Sequence, residues 1–313
     1  MRPAATLIVN PASGAGRTGR HLDQLRAAAR RAFDEVDLRL TRAPGDARRL
    51  AEDAARAGVK VVVAVGGDGT AGEVASGLCA VDMPAQARPA FTLVPAGTGC
   101  DLARTLNVPR SWEAAFDALG DAEVRLCDII EIDAGGDVFR SVNMVTMGVG
   151  GDVVTFNTPA LKRLGGRVSF MLATLRAFIG WSGPVVSLRW DGPDGAGAWR
   201  GRLSNAFIAN GAHCGGGMKP VGAASMADGV LQLALVTHRS LLPGLKIIPR
   251  LYDGRLGEAP GVVTARLTSL TAEVSEGAAV GLDIDGERGP QLPLRLRCVP
   301  SALPVLATRW SVS

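Results

Sequence analysis

The stretch that most constrains this chain is Val61-Val-Val-Ala-Val65 running straight into Gly66-Gly67-Asp68-Gly69-Thr70. An apolar, largely β-branched run suits a strand covered on both faces, as in a parallel sheet. Three of the four residues that follow it are glycine. Glycines let backbone N–H groups converge on an anion, and a helix N-terminus adds partial positive charge. The segment therefore reads as a phosphate-binding loop at the end of a strand. Asp68 lies inside it. A carboxylate ~4 Å from a phosphate is repelled by about 4 kcal/mol per charge pair at an effective dielectric of ~20. Two arrangements remove that cost. Either a cation such as Mg²⁺ sits between the charges, or Asp68 turns away to hold the loop; the Mg²⁺ link is the favoured expectation.

A second segment repeats the logic. Phe91–Pro95 reads as a strand and leads into Ala96-Gly97-Thr98-Gly99-Cys100-Asp101-Leu102-Ala103-Arg104. Thr98 offers a hydroxyl and an amide to phosphate. Asp101 is a second candidate acid for a metal, and equally a simple cap for a short helix. Two such loops after parallel strands match the place where open α/β sheets bind ligands. A third glycine segment, Gly14-x-Gly16-x-x-Gly19, formally fits the dinucleotide fingerprint. The next strand ends in Leu40-Thr41-Arg42, with no acid to hold a ribose, and the segment lacks the Lys and Ser/Thr of a Walker loop. These absences argue against a Rossmann oxidoreductase.

Strands and helices alternate up to about Cys127. Strands are expected at Thr6–Asn10, Val36–Leu40, Lys60–Val65 and Phe91–Pro95. Helices are expected over Thr18–Phe33, from an Asp46 cap through Ala57, from Thr70 onward, and over Ala114–Leu119. This pattern predicts an N-terminal α/β domain with a parallel sheet. Strand-like runs then follow one another: Asp128–Asp133, Val138–Val145, Val185–Trp190, Leu203–Asn210, Val230–Val236, Val262–Leu270, Val280–Ile284 and Leu292–Val299. They predict a C-terminal antiparallel β-sandwich or barrel, interrupted by helical insertions near Pro159–Trp181 and Ser240–Leu256. A length of 313 residues suits two domains.

Charge and cysteine usage exclude other classes. The net charge is +4 and the pI about 9.0, which mildly favours anionic partners. No dense basic block with interleaved aromatics argues for nucleic acid. The five cysteines form no CxxC pair and the three histidines are scattered, which argues against a zinc site or a disulfide framework. An odd cysteine count fits a reducing compartment. No secretory signal is visible. The longest apolar helical stretch, Ser169–Trp181, is broken by Arg176 and falls short of the ~20 residues of a membrane span. A cytoplasmic protein able to touch the inner membrane face is expected, with a homodimer left open. Pro159–Trp181 is apolar around much of its circumference but carries Lys162, Arg163, Arg167 and Arg176. It reads either as a helix packed on the sandwich or as a lip that admits an acyl chain while its cations attract anionic headgroups.

Five segments occur in a telling order: Asn10-Pro-Ala-Ser-Gly14, Gly66-Gly-Asp-Gly-Thr70, Pro95-Ala-Gly-Thr-Gly-Cys-Asp-Leu-Ala-Arg104, Gly215-Gly-Gly-Met218 and Asp285-Gly-Glu287. Together they resemble the diacylglycerol kinase catalytic family, which includes bacterial lipid kinases and sphingosine kinases, over nearly the whole chain. Gly-Gly-Asp-Gly-Thr alone is shared with NAD kinases and 6-phosphofructokinases; the ordered set is more specific. The resemblance implies an α/β nucleotide-binding domain of residues 1–127 joined by 300–313, a β-sandwich lipid-substrate domain of residues 128–299, and an ATP cleft between them. It implies ATP-dependent transfer of the γ-phosphoryl group to a hydroxyl of diacylglycerol or a related lipid. Nucleotide contacts would fall on Asn10, Thr41, Gly66, Gly67, Asp68, Gly69, Thr70, Ala71, Gly72 and Thr98. Glu287 would be the catalytic base; Asp68 and Asp101, read above from the residues as candidate metal-linked carboxylates, complete the expected catalytic set. A structural Mg²⁺ would lie at Ser225-Met-Ala-Asp228-Gly-Val230, held by the Asp228 carboxylate and the main-chain carbonyls of Ser225 and Val230. Family members usually carry Asn where this chain has Cys100.

Glu287 also has a physical case of its own. It follows the turn Asp285-Gly286 at the end of an alternating strand. A positioned carboxylate that takes the proton of an attacking alcohol is worth ~10²–10⁴ in rate. From the residues alone, a hairpin turn with a solvated glutamate is the simpler reading. Two further functions compete: a NAD-kinase-like phosphotransferase on a soluble substrate, and a non-catalytic nucleotide sensor.

Overall fold

The first strand, β1 (Ala5–Val9), is buried along its whole length, and this sets the layering of the N-terminal unit. The computed structural model describes residues 2–97, 99–151, 172, 176–177, 181–237 and 247–308. It divides into two compact units, one built from residues up to Asp128 and from Ser301 onward, the other from Ile129–Pro300.

In the first unit β1 lies between β2 (Val36–Leu40) and β3 (Val61–Gly66), and β3 pairs with β4 (Ala90–Pro95), all parallel. The last strand of the chain, β15 (Leu294–Ala307), reaches β4 in parallel at Val305 and Phe91. Parallel neighbours need crossover helices, which cover both faces and leave central strands no solvent side; β3 and β4 are accordingly buried at every residue. One face packs Leu7, Val9, Val63 and Val65 against Leu25, Ala29, Phe33 and Phe116. These come from α2 (Leu22–Ala29), the turn after it, and α6 (Trp112–Ala118). The other face is covered by α3 (Asp46–Arg56) and α4 (Asp68–Ala80). In α3, Ala47, Ala51, Ala54 and Ala55 make the buried stripe, at helical spacing.

Two local expectations are corrected here. The helix expected over Thr18–Phe33 is two pieces, α1 (Arg17–Arg20) and α2, broken at His21. Asp46 is the first residue of α3 rather than its cap; Gly45 holds the cap position with φ of 85°. The Asp46 carboxylate accepts the N–H groups of Arg42 at 2.7 Å and Ala43 at 3.2 Å. The Arg42 bond in particular draws its carboxyl below the ordinary range.

The second unit is a β-sandwich. One sheet runs β14-β13-β7-β9-β10-β11, formed by Glu287–Gln291, Gly281–Ile284, Met144–Gly148, Gly197–Ala209, Leu231–Thr237 and Val262–Leu267. The other is built on β9, β8 (Val185–Asp191), β12 (Ser269–Glu276) and β15, with β5 (Glu123–Ala134) and β6 (Asp137–Ser141) beyond. Strand β9 serves both: Gly197–Arg202 pairs with β8, while the half from Leu203 on pairs with β10 and β7. Ile130, Ile132, Val145, Met147, Leu188, Ile208, Leu233 and Leu296 interleave between the sheets. The first sheet is also covered on its outer face, where Met144, Phe207, Ala209 and Ala234 meet Val221, Ala224 and Leu256. That double burial explains why β10 reads as an almost unbroken apolar run.

Three strand expectations need correction. Val138–Val145 is two strands, β6 and β7, and Val262–Leu270 is also two, β11 and β12. The reading over Leu292–Val299 stops short, since β15 continues through Pro300 and Pro304 to Ala307. The apolar Pro159–Trp181 segment lies almost wholly outside the described residues, as does Ser240–Lys246. Within the rest of the second insertion, Ile248–Leu251 forms a 3₁₀ turn.

Candidate active site

In the first unit the glycine segments stand at the C-terminal ends of neighbouring parallel strands, and backbone contact joins them. Gly66 O accepts the N–H of Ala96 at 2.8 Å and of Gly97 at 3.2 Å. A Cβ on Gly97 would stand 2.6 Å from the Gly67 Cα, and one on Gly66 would stand 2.5 Å from Thr70 Oγ1. No side chain fits at either position, so glycine is required by close approach.

The first loop opens directly into α4. The first helical bond at that end runs from Ala71 N–H to Gly67 O at 3.1 Å. The amides of Asp68, Gly69 and Thr70 precede that bond and have no acceptor within the helix. Gly67, Asp68, Gly69 and Gly72 are partly exposed; Gly66, Thr70 and Ala71 are buried. Asn10 closes the arrangement from β1. Its N–H binds Val65 O at 2.9 Å, its Nδ2 donates to Thr70 Oγ1 at 3.3 Å, and its Oδ1 accepts Ala12 N–H at 3.0 Å. Thr41, partly exposed, follows β2 and donates its N–H to Val9 O at 2.9 Å. Thr98 lies outside the described residues.

Asp68 turns toward the second loop. Its Oδ1 accepts the Leu102 N–H at 3.0 Å, in the first turn of α5 (Asp101–Thr105). Of the two arrangements expected for this carboxylate, the one in which it holds the loops is present. Asp101 is buried, and its Oδ1 lies 2.6 Å from Arg104 NH1, which also donates to Gly99 O at 2.6 Å. Cys100 is the N-cap of α5, in the left-handed region with φ of 54° and ψ of 48°. Its thiol donates to Gly97 O at 3.2 Å. Burial, and then the Asp68 charge, push that thiol up to about 11. It is therefore neutral at physiological pH.

The second unit carries the other residues singled out from sequence. Glu287 is exposed and is the first residue of β14, paired with Ile284 of β13 across the Asp285-Gly286 turn. Asp228 is exposed in the turn before β10, and its Oδ1 accepts the Val230 N–H at 3.1 Å. Ser225 and Val230 are partly exposed in the same turn. Among the described residues no three His, Cys, Asp or Glu side chains cluster as a metal site would require. A cation at this turn would therefore rest on one carboxylate and on main-chain carbonyls, hard oxygen donors of the kind that suit Mg²⁺. The residue that sequence reading missed is Asp285, read there only as part of a turn. It is a buried carboxylate.

A parallel α/β unit with two fused glycine loops, joined in one chain to a β-sandwich, defines a class. Residues 4–132 match the diacylglycerol kinase catalytic domain, and residues 143–307 match the YegS C-terminal NAD kinase beta sandwich-like domain. The chain belongs to the YegS-like lipid kinase family. It is 34% identical over 286 residues to a Pseudomonas fluorescens protein, covering 90% of each chain. It is 31% identical over 304 residues to a Serratia proteamaculans protein, covering 96% of this chain and 93% of that one. Both relatives bear the name probable lipid kinase YegS-like. The fold matches a crystal structure of a diacylglycerol kinase from Bacillus anthracis strain Sterne, with a TM-score of 0.72, 21% identity and 97% of each chain covered. Family membership makes the chain a kinase, and so a phosphotransferase. Among the described residues no helix is long and apolar enough to cross a membrane.

Proposed function

We propose that this chain is an ATP-dependent lipid kinase that transfers the γ-phosphoryl group to a free hydroxyl of diacylglycerol or a related lipid. The observation that carries the reading is the first turn of α4. Its Asp68, Gly69 and Thr70 amides stand beside a second glycine loop, on a scaffold shared with lipid kinases. Amides at a helix N-terminus bind phosphate oxygens and cost no reorganisation when charge develops on them. Asn10, Thr41 and Gly66 to Gly72 would line the nucleotide, with Thr98 added from the second loop.

Phosphoryl transfer asks a protein mainly for alignment and charge stabilisation. Glu287 would take the proton of the acceptor hydroxyl as it attacks the γ-phosphorus. Asp68 would keep the two loops in register through Leu102, and Asp101 with Arg104 would stiffen the second loop. Mg²⁺, when bound with the nucleotide, offsets the charge of its phosphates. A structural Mg²⁺ would be held by Ser225, Asp228 and Val230. Acting on a lipid acceptor, the enzyme would work from the cytoplasm and meet the inner membrane face.

The test is transfer of labelled γ-phosphate from ATP to diacylglycerol, monoacylglycerol, ceramide, sphingosine, phosphatidylglycerol and undecaprenol in mixed micelles, with NAD as the soluble rival. The expected result is labelled lipid from at least one member and none from NAD. Glu287→Gln is expected to bind ATP and to lose transfer. Label on NAD alone, or ATP binding with no labelled lipid, would overturn the reading.

A further inference from the structure

The turn that presents Glu287 is held by more than its own hairpin. Asp285 and Gly286 form a two-residue loop with φ of 52° and 87°, the positive-φ pair that a tight hairpin of the primed type requires. Asp283 Oδ1 accepts the Gly286 N–H at 2.7 Å and completes the local turn. An Asn-Gly or Gly-Gly pair would make the same loop without a carboxylate. Asp285 instead places its carboxylate in the protein interior, where an anion carries a desolvation cost unless donors surround it.

Donors do surround it. Oδ1 accepts Ser141 Oγ at 2.7 Å, Met144 N–H at 2.9 Å and Asn143 N–H at 3.1 Å, and Oδ2 accepts Val142 N–H at 2.9 Å. The Asp285 N–H donates to Met144 O at 3.0 Å. Three consecutive amides bending toward one anion form a backbone nest. They lie at the break between β6 and β7, where the chain passes from one sheet to the other. Strand β13 pairs with β7 through Leu282, Asp283 and Ile284, so the carboxylate extends that pairing past the strand end and pins the turn to the strand beneath.

We propose that Asp285 is a positioning residue: its buried carboxylate, bound by Ser141 Oγ and by the amides of Val142, Asn143 and Met144, fixes the turn that aims Glu287. This rests on the reading of Glu287 as the base. In this reading Asp285 acts through the turn and not on the proton or the phosphate. A hairpin free to rock on Gly286 would move Glu287 by an ångström or more, and a displacement of ~1 Å can cost about 10²-fold in rate.

The experiment measures kcat, lipid KM and ATP binding, with kcat expressed per folded molecule from a thermal unfolding curve. The variants are Asp285→Gly, Asp285→Asn, Ser141→Ala and Glu287→Gln. The acceptor is diacylglycerol, or the lipid of the panel above that is labelled faster. Asp285→Gly keeps the left-handed turn and loses every carboxylate bond. It is expected to lower kcat about 10²-fold, with lipid KM and ATP affinity within about threefold of wild type. Asp285→Asn is expected to fall between wild type and Gly. Ser141→Ala, which removes one bond of the four, is expected to lose about threefold or more in kcat alone. Should Asp285→Gly fail to fold, Asp285→Asn and Ser141→Ala decide. Wild-type kcat per folded molecule in both, even with a lowered melting temperature, would make the role structural only and overturn the proposal. If Glu287→Gln is inactive in that same set, the base reading stands without this inference. If Glu287→Gln transfers phosphate at the wild-type rate, the base reading fails and this inference fails with it.

Discussion

Asp68 and Leu102 are joined across the two glycine loops, carboxylate Oδ1 to backbone N at 3.0 Å. The bond links the first turn of α4 to the first turn of α5 and sets the spacing of the two sets of amides. A hydrogen bond to an ionised group contributes about 1.5–3 kcal/mol. The second carboxylate oxygen lies against Gly99, where an added Cβ would stand 2.9 Å from it. The same side chain therefore holds the loops and supplies a negative charge beside them.

Two substitutions separate those contributions. Asp68→Ala removes both and is expected to destabilise the protein by about 2 kcal/mol and to weaken ATP binding. Asp68→Asn keeps a neutral acceptor for Leu102 and is expected to lose about 1 kcal/mol, less than Asp68→Ala. Without the carboxylate charge, its phosphoryl transfer should drop about 10²-fold. Urea unfolding and labelled transfer read the two effects. An active Asp68→Asn would limit Asp68 to holding the loops.

Cys100 sits where the backbone suits asparagine. A left-handed conformation costs a residue with a Cβ about 1–2 kcal/mol, and Asn tolerates it best among non-glycine residues. Cys100→Asn is therefore expected to stabilise the protein by about 1 kcal/mol, with Nδ2 replacing the thiol as donor to Gly97 O. A pH series gives an independent sign. Burial raises the Cys100 thiol from 9.0 to about 11. The folded state thus holds that proton more tightly than the unfolded chain. The resulting stability is complete below pH 9 and is lost as pH rises from 9 toward 11. Cys100→Asn has no such loss, so its advantage over wild type should widen across that window in urea titrations. A constant gap would contradict the assigned shift.

Local pattern made much of the fold legible. Val61–Val65 with its glycines, and the alanine stripe of α3, carry their own periodicity and turn chemistry. What stayed hidden depends on partners distant in sequence. Val138–Val145 is apolar enough to read as one strand. It breaks where the chain passes from the sheet of β5 to that of β9 and β13. There Asp285, more than 140 residues away, binds the amides of Val142, Asn143 and Met144. Strand β14 contains Gly289 and Pro290, which signal a turn, yet β14 lies at the end of its sheet order, where proline costs no ladder bond. Pro300 directly follows the strand expected over Leu292–Val299, yet β15 passes through it. In the candidate site the glycine loops were visible as motifs. The Asp68–Leu102 bond was not, because nothing in a single sequence states which amide a loop carboxylate will reach.

Arg88 shows the same limit in a residue that carries no motif. Its guanidinium donates to Leu78 O at 2.8 Å, Val81 O at 3.2 Å and Met83 O at 3.3 Å, and also to Ala302 O. It thereby ties the segment after α4 to the returning end of β15, within the first unit. Arg88→Ala would leave these part-buried carbonyls without their donor, and is expected to cost about 3 kcal/mol in urea unfolding. Arg88→Lys is expected to recover little of that loss, because a compact ammonium cannot span acceptors that a planar fork reaches together. ATP binding should change little in either variant, since Arg88 touches neither glycine loop. Wild-type stability in Arg88→Lys would show that charge alone, rather than the fork, secures the returning strand.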